Sequence, residues 1–510
     1  MPQPDARSFA IATPHRLATQ SGEAAFAAGG NAVDAALAAA CALTVVYPHM
    51  CAVGGDVMAL VHDGAAHAVN GSGRAPRAAP AGKYPVPRSV DAITVPGAVS
   101  AWQTMAERWG IRPLAAALKE AAELARGGVP IARSLAGALE DDQQVVTADA
   151  GLSKVFAPEG RLLGQSDRLV QEPLAGTLER LASAGAEDFY LGGTGRMLVA
   201  GLAELGCALT MEDLALHRTD IEPALHRSVF GRDLLTMGAN SQGFCLIQIM
   251  AGVERMRLDD PLGKQAPVLA ALFRESMADR DALLADPAAM TVAVDALVAD
   301  DRICELVDRA RAGAAVRSEA WPAARGDTVG IVAVDDRLAV SLIQSVWDTF
   351  GAGVLEPSTG IICHNRGACF SPDPASPNAF GPSKRPLHTL MPLMAAAGDR
   401  PSWVAGTMGG HAQAQIHAQL LLRHVSGSDA YTAVASPRFV TGSLDTGGTE
   451  VYVEEDFQAA LTAFATAGER TVALPIRSEA VGHAQAIAVA ADGTLDAASD
   501  PRSDGRAVAR

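Results

Sequence analysis

Basic residues are scarce in this sequence relative to acidic ones. Lysine and arginine together number 41, against 57 aspartates and glutamates, so the formal net charge is -16. Nucleic acids and anionic membrane surfaces bind proteins mainly through clustered positive charge. We therefore expect no nucleic acid and no membrane as partners, although one local arginine is enough to bind a small anion.

Paired cysteines and long apolar runs are also missing. The longest charge-free apolar run, residues 35–47, is too short to span a bilayer, and the N-terminus has no basic region followed by an apolar core. No cysteines are spaced as CxxC, and their number is odd, which predicts reduced thiols, a cytoplasmic setting and no zinc site. The seven cysteines stand at positions 41, 51, 207, 245, 304, 363 and 369.

The composition is that of a well-buried globular protein, with 49% hydrophobic and 19% charged residues. A chain of 510 residues is long enough for two to four domains, or for one large core built in layers. The alanine-rich stretch 22–46 predicts two helices, the second capped near Asn31 or Asp34. Further helical patterns cover residues 95–125, 130–235, 241–257 and 267–286.

The second part of the chain is richer in strands. One clear helix is expected near 411–424, and short β-branched runs alternate with glycine turns at 328–346, 360–364, 402–406, 450–453, 471–474 and 486–490. A helical beginning followed by strands, without regular βαβ alternation, predicts helices packed on antiparallel sheets. The fold class is therefore α+β, with a largely helical N-terminal portion.

One predicted β-hairpin brings two hydroxyl side chains together. The run 328–334 begins with Thr328, the polar turn 335–337 follows, and the returning run reaches Ser345. A loop of two to four residues places Thr328 beside a residue between Ile343 and Ser345, and the longest of these loops makes Thr328 and Ser345 face each other. Although a threonine that opens a strand is usually structural, this pair is a candidate catalytic centre.

The stretch before Thr328 suggests how that residue could become reactive. Residues 310–327 are rich in alanine and arginine and contain Pro322 and Gly326, the composition of exposed segments where chains are cut. Cleavage before Thr328 would free its α-amine, whose unperturbed pKa of about 7.7–8.0 suits a general base near neutral pH. A threonine hydroxyl paired with its own amine is a recognised nucleophile that needs no histidine or metal.

Three further segments are candidates for the site. Gly409 and Gly410 lie between an apolar run and a helix, where their N–H groups could hold an oxyanion, although a plain strand-to-helix turn explains them equally well. Arg74, flanked by Gly73, is either a solvated loop arginine or a bidentate partner of a substrate carboxylate. The third segment, residues 384–389, is either a surface loop or a source of polar contacts to the scissile group.

No cofactor or metal site is predicted. The pattern Gly193-Thr194-Gly195 lacks the third glycine and the preceding strand of a dinucleotide site. His411 and His417 stand six residues apart on a predicted helix and do not share a face, which argues against a metal.

A series of motifs extends along nearly the whole chain: residues 29–56, Val95-Pro96-Gly97, Glu222-Pro223, Ala278-Asp279-Arg280-Asp281, Thr349-Phe350-Gly351-Ala352-Gly353, Lys384-Arg385-Pro386-Leu387 and Met408-Gly409-Gly410. In these motifs and in their order the sequence resembles the γ-glutamyltransferase family of N-terminal-nucleophile hydrolases. The resemblance implies a four-layer αββα sandwich and autocatalytic cleavage before Thr328. It also implies a heterodimer of two fragments, a large one (1–327) and a small one (328–510), that together form one core.

The resemblance also assigns roles to individual residues. Thr328 matches the family's nucleophile, and Ser345 matches the second hydroxyl, normally a threonine. Gly409 and Gly410 match the oxyanion glycines. Arg74 matches the arginine that holds the substrate carboxylate, although the loop lengths differ.

Departures from the family pattern concern the substrate. Where true transferases carry an acidic pair for the substrate α-amino group, this chain reads Asn365-Arg366-Gly367-Ala368-Cys369-Phe370, without a carboxylate. His388-Thr389 replaces the family's two serines, and Trp347 replaces an asparagine. An ammonium group would lose a charge-assisted bond worth about 1.5–3 kcal/mol. With these departures the sequence resembles the branch of the family that includes oxamate amidohydrolase.

The resulting expectation is an enzyme that hydrolyses a small anionic amide through an acyl-enzyme on Thr328. Arg74, Arg366 and His388 would favour an anion, and Trp347, Asn365, Cys369 and Thr389 would line the same pocket. One alternative is a γ-glutamyl hydrolase or transferase that acts on glutathione, which needs another acidic group in the pocket. Another is an uncleaved binding protein that keeps the fold without catalysis.

Overall fold

The computed structural model describes residues 8–80, 84–313, 327–442 and 450–510. The predicted exposed segment 310–327 therefore lies mostly outside the described residues, with 310–313 and Asp327 inside them. No helix within the described ranges is long and apolar enough to cross a membrane.

The helices dominate the first 313 residues, as expected. Across the described ranges the α-helices are α1 Arg16–Ala27, α2 Ala32–Val46, α3 Ala98–Trp109, α4 Leu114–Gly127, α5 Arg133–Asp141, α6 Gln143–Ala148, α7 Ala150–Phe156, α8 Glu172–Ala184, α9 Glu187–Tyr190, α10 Gly193–Glu204, α11 Met211–Leu216, α12 Gly243–Met256, α13 Ala266–Leu283, α14 Val294–Leu297, α15 Asp300–Ala312, α16 Gln413–Val425, α17 Ala430–Ala435 and α18 Gln458–Thr466.

The strands are spread over both parts of the chain. They are β1 Phe9–Thr13, β2 Asp56–His62, β3 Ala66–Asn70, β4 Val129–Pro130, β5 Arg168–Leu169, β6 Asp220–Pro223, β7 Leu225–Val229, β8 Arg232–Thr236, β9 Asp327–Asp335, β10 Ala339–Trp347, β11 Leu355–Glu356, β12 Ile361–Ile362, β13 Leu393–Ala396, β14 Pro401–Thr407, β15 Phe439–Thr441, β16 Val451–Glu454, β17 Thr471–Leu474, β18 Ala484–Val489, β19 Leu495–Ser499 and β20 Arg506–Ala509.

Two large antiparallel sheets form the centre of the molecule. The first sheet has the strand order β20-β1-β9-β10-β2-β3-β6, and the second has the order β19-β18-β14-β13-β8-β7. Both sheets mix strands from before and after Thr328, so the two parts of the chain build a common core. The predicted hairpin of β9 and β10 lies in the middle of the first sheet, with Thr328 directly opposite Ser345.

The layers follow from the alternation of side chains along these strands. On β9 and β10, Ile331 and Leu342 point to the cluster that α2 and its neighbouring helices complete. Val332 and Ile343 point the other way, into an apolar cluster shared with the second sheet. A third cluster joins the second sheet to α12, α13 and α16. The order helix, sheet, sheet, helix confirms the expected four-layer αββα sandwich.

Helix α2 is fixed by its sequence at its start and along its length. The Asn31 side chain accepts hydrogen bonds from the N–H groups of Val33 and Asp34, while Asp34 accepts from the Asn31 N–H, which is a complete capping box. Every residue of α2 is buried, and its small alanines let the helix lie close to the first sheet. The predicted cap at Asn31 is confirmed.

The prediction that residues 130–235 are mainly helical is wrong at its C-terminal end. Residues 220–236 form β6, β7 and β8 instead. Strands β7 and β8 pair as a tight hairpin, and the turn residues Phe230 and Gly231 both have positive φ, at 53° and 68°. The period of two in this stretch, with a glycine at the turn, was the signal that the helical interpretation missed.

Candidate active site

The two hydroxyls of the hairpin face the space between the two sheets. Thr328 lies on the same side of β9 as Val332, and Ser345 lies on the same side of β10 as Ile343, so both point toward the second sheet. Both side chains are fully buried. The sheets approach closely beside them, because a Cβ on Gly330 would stand 2.6 Å from the carbonyl carbon of Gly406.

Ser345 Oγ is the centre of the hydrogen bonds at this point. It donates to the main-chain oxygen of Asp327 at 2.7 Å, and it lies 3.3 Å from Thr328 Oγ1, which donates to it. The backbone N–H of Trp347 also donates to Ser345 Oγ, at 2.9 Å. Ser345 therefore touches both the hydroxyl of Thr328 and the carbonyl of the Asp327–Thr328 peptide bond.

Arg366 brings a buried positive charge to the same serine. Its Nη2 donates to Ser345 Oγ at 3.1 Å, and its Nη1 donates to Thr389 Oγ1 at 3.3 Å and to Cys369 Sγ at 3.6 Å. The guanidinium carbon lies 4.6 Å from the centre of the Trp347 ring, a cation–π contact. The structure thus brings four of the predicted site residues into contact with the fully buried Arg366: Ser345, Trp347, Cys369 and Thr389.

Asp56, which sequence reasoning did not single out, supplies the negative charge. It begins β2 opposite Ser345, so Asp56, Ser345 and Thr328 stand in register across three neighbouring strands. Asp56 Oδ2 lies 3.8 Å from Arg366 Nε and 3.1 Å from His388 Nε2, while its Oδ1 has no hydrogen-bond partner. The Gly54-Gly55-Asp56 sequence, a carboxylate between glycines and a buried strand, was the available signal.

The charges of this group follow from its burial. Burial disfavours the Asp56 carboxylate, but His364, the hydrogen bond from His388 and the Arg366 guanidinium together hold the pKa of Asp56 well below its ordinary value. Burial, and then Arg366, lower the pKa of His388 to about 3. At neutral pH the group therefore holds one cation, one anion and a neutral His388.

Both ring nitrogens of His388 are used inside the protein. Nδ1 accepts a hydrogen bond from the Leu390 N–H at 3.3 Å, so the proton of the neutral ring stands on Nε2, which donates to Asp56. His388 was predicted as a substrate contact. In the structure it is a hydrogen-bond partner of Asp56, and its predicted role with substrate stays a prediction.

Gly409 and Gly410 lie on the adjacent turn between β14 and α16. Their φ values of 145° and 50° belong to the left-handed half of conformational space, which favours glycine. Gln242 Nε2 donates to the carbonyls of Gly410 and Thr389, both at 2.9 Å, and thereby joins this turn to the Arg366 group. The ring of His411, the next residue, packs edge-on against Trp347 with 5.2 Å between centroids.

Arg74 and Asn365 have other partners in the structure. Arg74 Nη1 forms an ion pair with Asp286 at 2.7 Å, its side chain is 47% exposed, and it lines a surface pocket of about 270 Å³. Asn365 Nδ2 donates to Asp348 Oδ2 at 2.7 Å. Neither residue bonds to the Thr328 group, so their predicted roles with substrate stay predictions.

Within residues 8–80, 84–313, 327–442 and 450–510 there is no group of three or more histidine, cysteine, aspartate or glutamate side chains arranged to hold a metal ion. The cysteines of the described ranges are unpaired, and all but one are buried.

The four-layer sandwich, with a threonine near the start of a central strand, is the fold of the N-terminal-nucleophile hydrolases. The family described as gamma-glutamyltranspeptidase matches residues 18–510. The chain belongs to this family.

Individual relatives cover almost the whole chain. It is 32% identical to the glutathione hydrolase-like YwrD proenzyme of Bacillus subtilis, over 98% of both chains. It is 34% identical to the oxamate amidohydrolase proenzyme of Klebsiella pneumoniae, over 97% of both chains. Among solved structures, a cephalosporin acylase from Bacillus halodurans superposes with a TM-score of 0.90 and 30% identity, covering 100% of this chain and 98% of that one.

Proposed function

We propose that the chain cleaves itself between Asp327 and Thr328 and that the mature protein hydrolyses small amides. The single observation that carries the proposal is the buried contact of Thr328 Oγ1 with Ser345 Oγ, which also donates to the Asp327 carbonyl. The contact supports the proposal because the proposed nucleophile, its proposed helper and the proposed scissile carbonyl meet there. The relatives described as proenzymes support cleavage, and two of them carry hydrolase names.

The proposed reaction uses Thr328 in two ways. Its freed α-amine, with an unperturbed pKa of about 7.7–8.0, accepts the proton of its own hydroxyl. The hydroxyl oxygen attacks the amide carbon of the substrate, and the proton passes to the departing nitrogen as the C–N bond breaks. Water then hydrolyses the ester on Thr328 and releases the acid.

Two neighbouring groups stabilise this reaction. Ser345 Oγ hydrogen-bonds the attacking hydroxyl and holds its direction. The N–H groups of Gly409 and Gly410 are proposed to bind the oxyanion, as the oxyanion glycines of this family would. In other acyl-transfer enzymes, removing one such preorganised donor raises the activation free energy by about 2.7–4 kcal/mol.

The substrate is proposed to be a small anionic amide of the oxamate type. Arg366 supplies a permanent charge one hydrogen bond away from Ser345, and its flat guanidinium rests on Trp347. Cys369 stands at the position where a carboxylate would hold an α-ammonium, and its pKa is raised to about 11 by burial, so it is a neutral thiol. The oxamate amidohydrolase name of one relative supports this choice.

A specific observation favours a second candidate, hydrolysis of γ-glutamyl compounds such as glutathione. That substrate needs an acidic group near the nucleophile, and Asp56 is one, with Oδ1 unpartnered. Asp56 already neutralises Arg366, however, so an ammonium there would compete with a fixed guanidinium. The relative with a glutathione hydrolase-like name supports this candidate.

A substrate panel decides between the two candidates. Purified protein is assayed with oxamate, succinamate, glutathione and γ-glutamyl-p-nitroanilide, the last with and without a dipeptide acceptor. We expect kcat/KM for oxamate to exceed that for the γ-glutamyl substrates by at least about a hundredfold, the value of roughly 2.7 kcal/mol of differential binding. Faster turnover of γ-glutamyl-p-nitroanilide would favour the second candidate. A full-length, inactive chain would favour a binding protein.

A further inference from the structure

The residue before the proposed cleavage point buries its side chain. Asp327 is 7% exposed, and Thr349 Oγ1 donates a hydrogen bond to Asp327 Oδ2 at 2.5 Å. Among the residues that the structure describes, no lysine or arginine forms an ion pair with Asp327. A carboxyl so enclosed is costly to ionise, because a hydroxyl replaces little of the lost hydration.

The groups around Asp327 add negative charge. Asp142 and Asp348 face it, together with one cation, Arg88. Arg88 is already committed: its Nη1 and Nη2 donate to both oxygens of Asp142 at 2.8 and 3.3 Å, and its Nη2 donates to the Thr349 carbonyl at 2.8 Å. Its Nε is 4.0 Å from Asp348 Oδ2. The single positive charge of Arg88 is thus shared among the carboxyls of Asp142, Asp327 and Asp348.

The direction of titration follows from this arrangement. Burial raises the pKa of Asp327 well above its ordinary value, and Asp348 and Asp142 raise it further, against the hydrogen bond from Thr349 and the charge of Arg88. Burial likewise raises the pKa of Asp348. Repulsion between such carboxyls favours the neutral form of at least one of them.

The same residue carries the carbonyl on which charge develops during self-cleavage. Thr328 Oγ bonds to the Asp327 carbonyl carbon, the C–N bond to Thr328 breaks, and the hydroxyl proton ends on the freed amine. Water then cleaves the ester to give the Asp327 α-carboxylic acid and the Thr328 hydroxyl, and the acid ionises. The intermediate oxyanion lies within the same residue as the Asp327 side chain, so an ionised side chain would repel it.

We propose that the Asp327 carboxyl controls maturation: the Asp327–Thr328 bond breaks while this carboxyl is neutral and is preserved while it is ionised. The inference rests on the proposed function, because it concerns the same cleavage. It adds that maturation is favoured by acid and slowed by alkali. An intramolecular base would give the opposite dependence.

The test follows self-cleavage of newly made full-length chain. Protein from a cell-free translation reaction is transferred to buffers from pH 5 to pH 9, and the uncut fraction is measured on denaturing gels over time. We expect the wild-type rate constant to fall at least tenfold toward pH 9. In Asp327→Asn, which is neutral at every pH, we expect a rate constant that varies by less than about threefold over the same range.

A second variant shifts the pH dependence of self-cleavage without removing the Asp327 carboxyl. Thr349→Val deletes the hydrogen-bond donor to Asp327, so the fall in rate is expected at higher pH than in the wild type. Asp336→Asn, on the exposed turn of the same hairpin, is the matched control and is expected to follow the wild-type profile.

Two outcomes overturn the inference: a wild-type rate constant that is flat or rises with pH, or an Asp327→Asn profile that falls like the wild type. If the wild-type chain stays uncut at every pH, the proposed function itself fails. If it is cut with a flat profile, only the control by Asp327 fails.

Discussion

The molecule buries two clusters of charge, and they are built differently. The Arg438 cluster consists of Arg438, Glu454, Asp500 and Arg502, and the site cluster consists of Asp56, Ser345, Arg366 and His388. All eight residues are completely or almost completely buried. In the Arg438 cluster two arginines meet two carboxylates, whereas in the site cluster one arginine meets one carboxylate at 3.8 Å.

The difference lies in how completely the carboxylate oxygens are hydrogen-bonded. Every carboxylate oxygen of Glu454 and Asp500 accepts at least one hydrogen bond, for example from Arg502 Nε and from the Ala484 N–H, both at 3.0 Å. In the site cluster, Asp56 Oδ1 has no hydrogen-bond partner. One arginine nitrogen in each cluster, Arg366 Nε and Arg438 Nε, also lacks one. Carboxylates whose oxygens are all hydrogen-bonded stabilise the fold, while a buried carboxylate with an unused oxygen retains capacity for a ligand.

The largest effect is expected at Thr328, whose hydroxyl contacts Ser345 of the site cluster. Thr328→Ala removes the nucleophile, so hydrolysis should fall by at least about a thousandfold, while the free energy of unfolding should change by less than about 1.5 kcal/mol. Rates with the best amide and urea unfolding curves measure both quantities. Ser341→Ala is the matched control, because Ser341 lies on the same face of β10 and bonds the Ala405 carbonyl. Hydrolysis by Thr328→Ala at the wild-type rate would contradict the role of Thr328 as the nucleophile.

The next effect compares the two buried aspartates directly. Asp500→Asn leaves Arg438 and Arg502 short of one negative charge in a closed interior, which should cost about 3–5 kcal/mol of stability without changing KM. Asp56→Asn should cost less stability, about 1–3 kcal/mol, because its ion pair is longer, and should lower kcat/KM. Unfolding curves and kinetics of both variants check this. Equal losses of activity would remove the distinction between the clusters.

A smaller effect is expected from the arginine of the site cluster. Arg366→Gln should lower kcat/KM for an anionic amide by about 10–150-fold, the loss of about 1.5–3 kcal/mol from a charge-assisted hydrogen bond. The loss should fall mainly in KM and should be weaker for an uncharged amide of the same size. Arg366→Lys should not restore activity, since an ammonium lacks the planar fork. An equal loss for charged and uncharged amides would exclude Arg366 as an anion receptor.

The smallest effect concerns one histidine in or beside each cluster. Burial first lowers the pKa of His388 to about 3 and that of His483 to about 4, whereas the unfolded chain binds protons near pH 6.5. Between these values the unfolded state holds more protons than the folded state. The free energy of unfolding therefore has its full value above about pH 6.5 and decreases as the pH is lowered toward 3.

Each histidine contributes up to about 1.4 kcal/mol per pH unit to this slope. His388→Gln and His483→Gln should flatten it similarly in urea unfolding at pH 7.5, 6 and 5, while only His388→Gln changes catalysis. If the free energy of unfolding depended more steeply on pH in either variant than in the wild type, the expected direction would be contradicted.

The sequence predicts those parts of the site that are local in the chain. Thr328 and Ser345 belong to one hairpin, so a short turn fixes their contact. The order of helices and strands predicts helices packed on antiparallel sheets, and the resemblance to the family adds the four layers. Asp56 could not be predicted in the same way. It lies more than 250 residues before Thr328 and reaches the site only through the pairing of β2 with β10.

Other predictions stay open for a similar reason. Arg74 was chosen by motif, but its ion pair with Asp286 depends on how two distant segments meet. His388 was also chosen by motif, and its hydrogen bonds with Asp56 and Leu390 depend on contacts with other segments, so its role with substrate stays a prediction. Local sequence identifies a residue's neighbourhood, and tertiary partners decide what its polar atoms do.

The central claim is that the chain is cut before Thr328 by Thr328 itself. Intact mass analysis of the purified wild type and of Thr328→Ala tests it most directly. We expect two wild-type species with the masses of residues 1–327 and 328–510, and one uncut species of 510 residues in the variant. An uncut wild type that still hydrolyses amides, or a variant cut at the same bond, would contradict it.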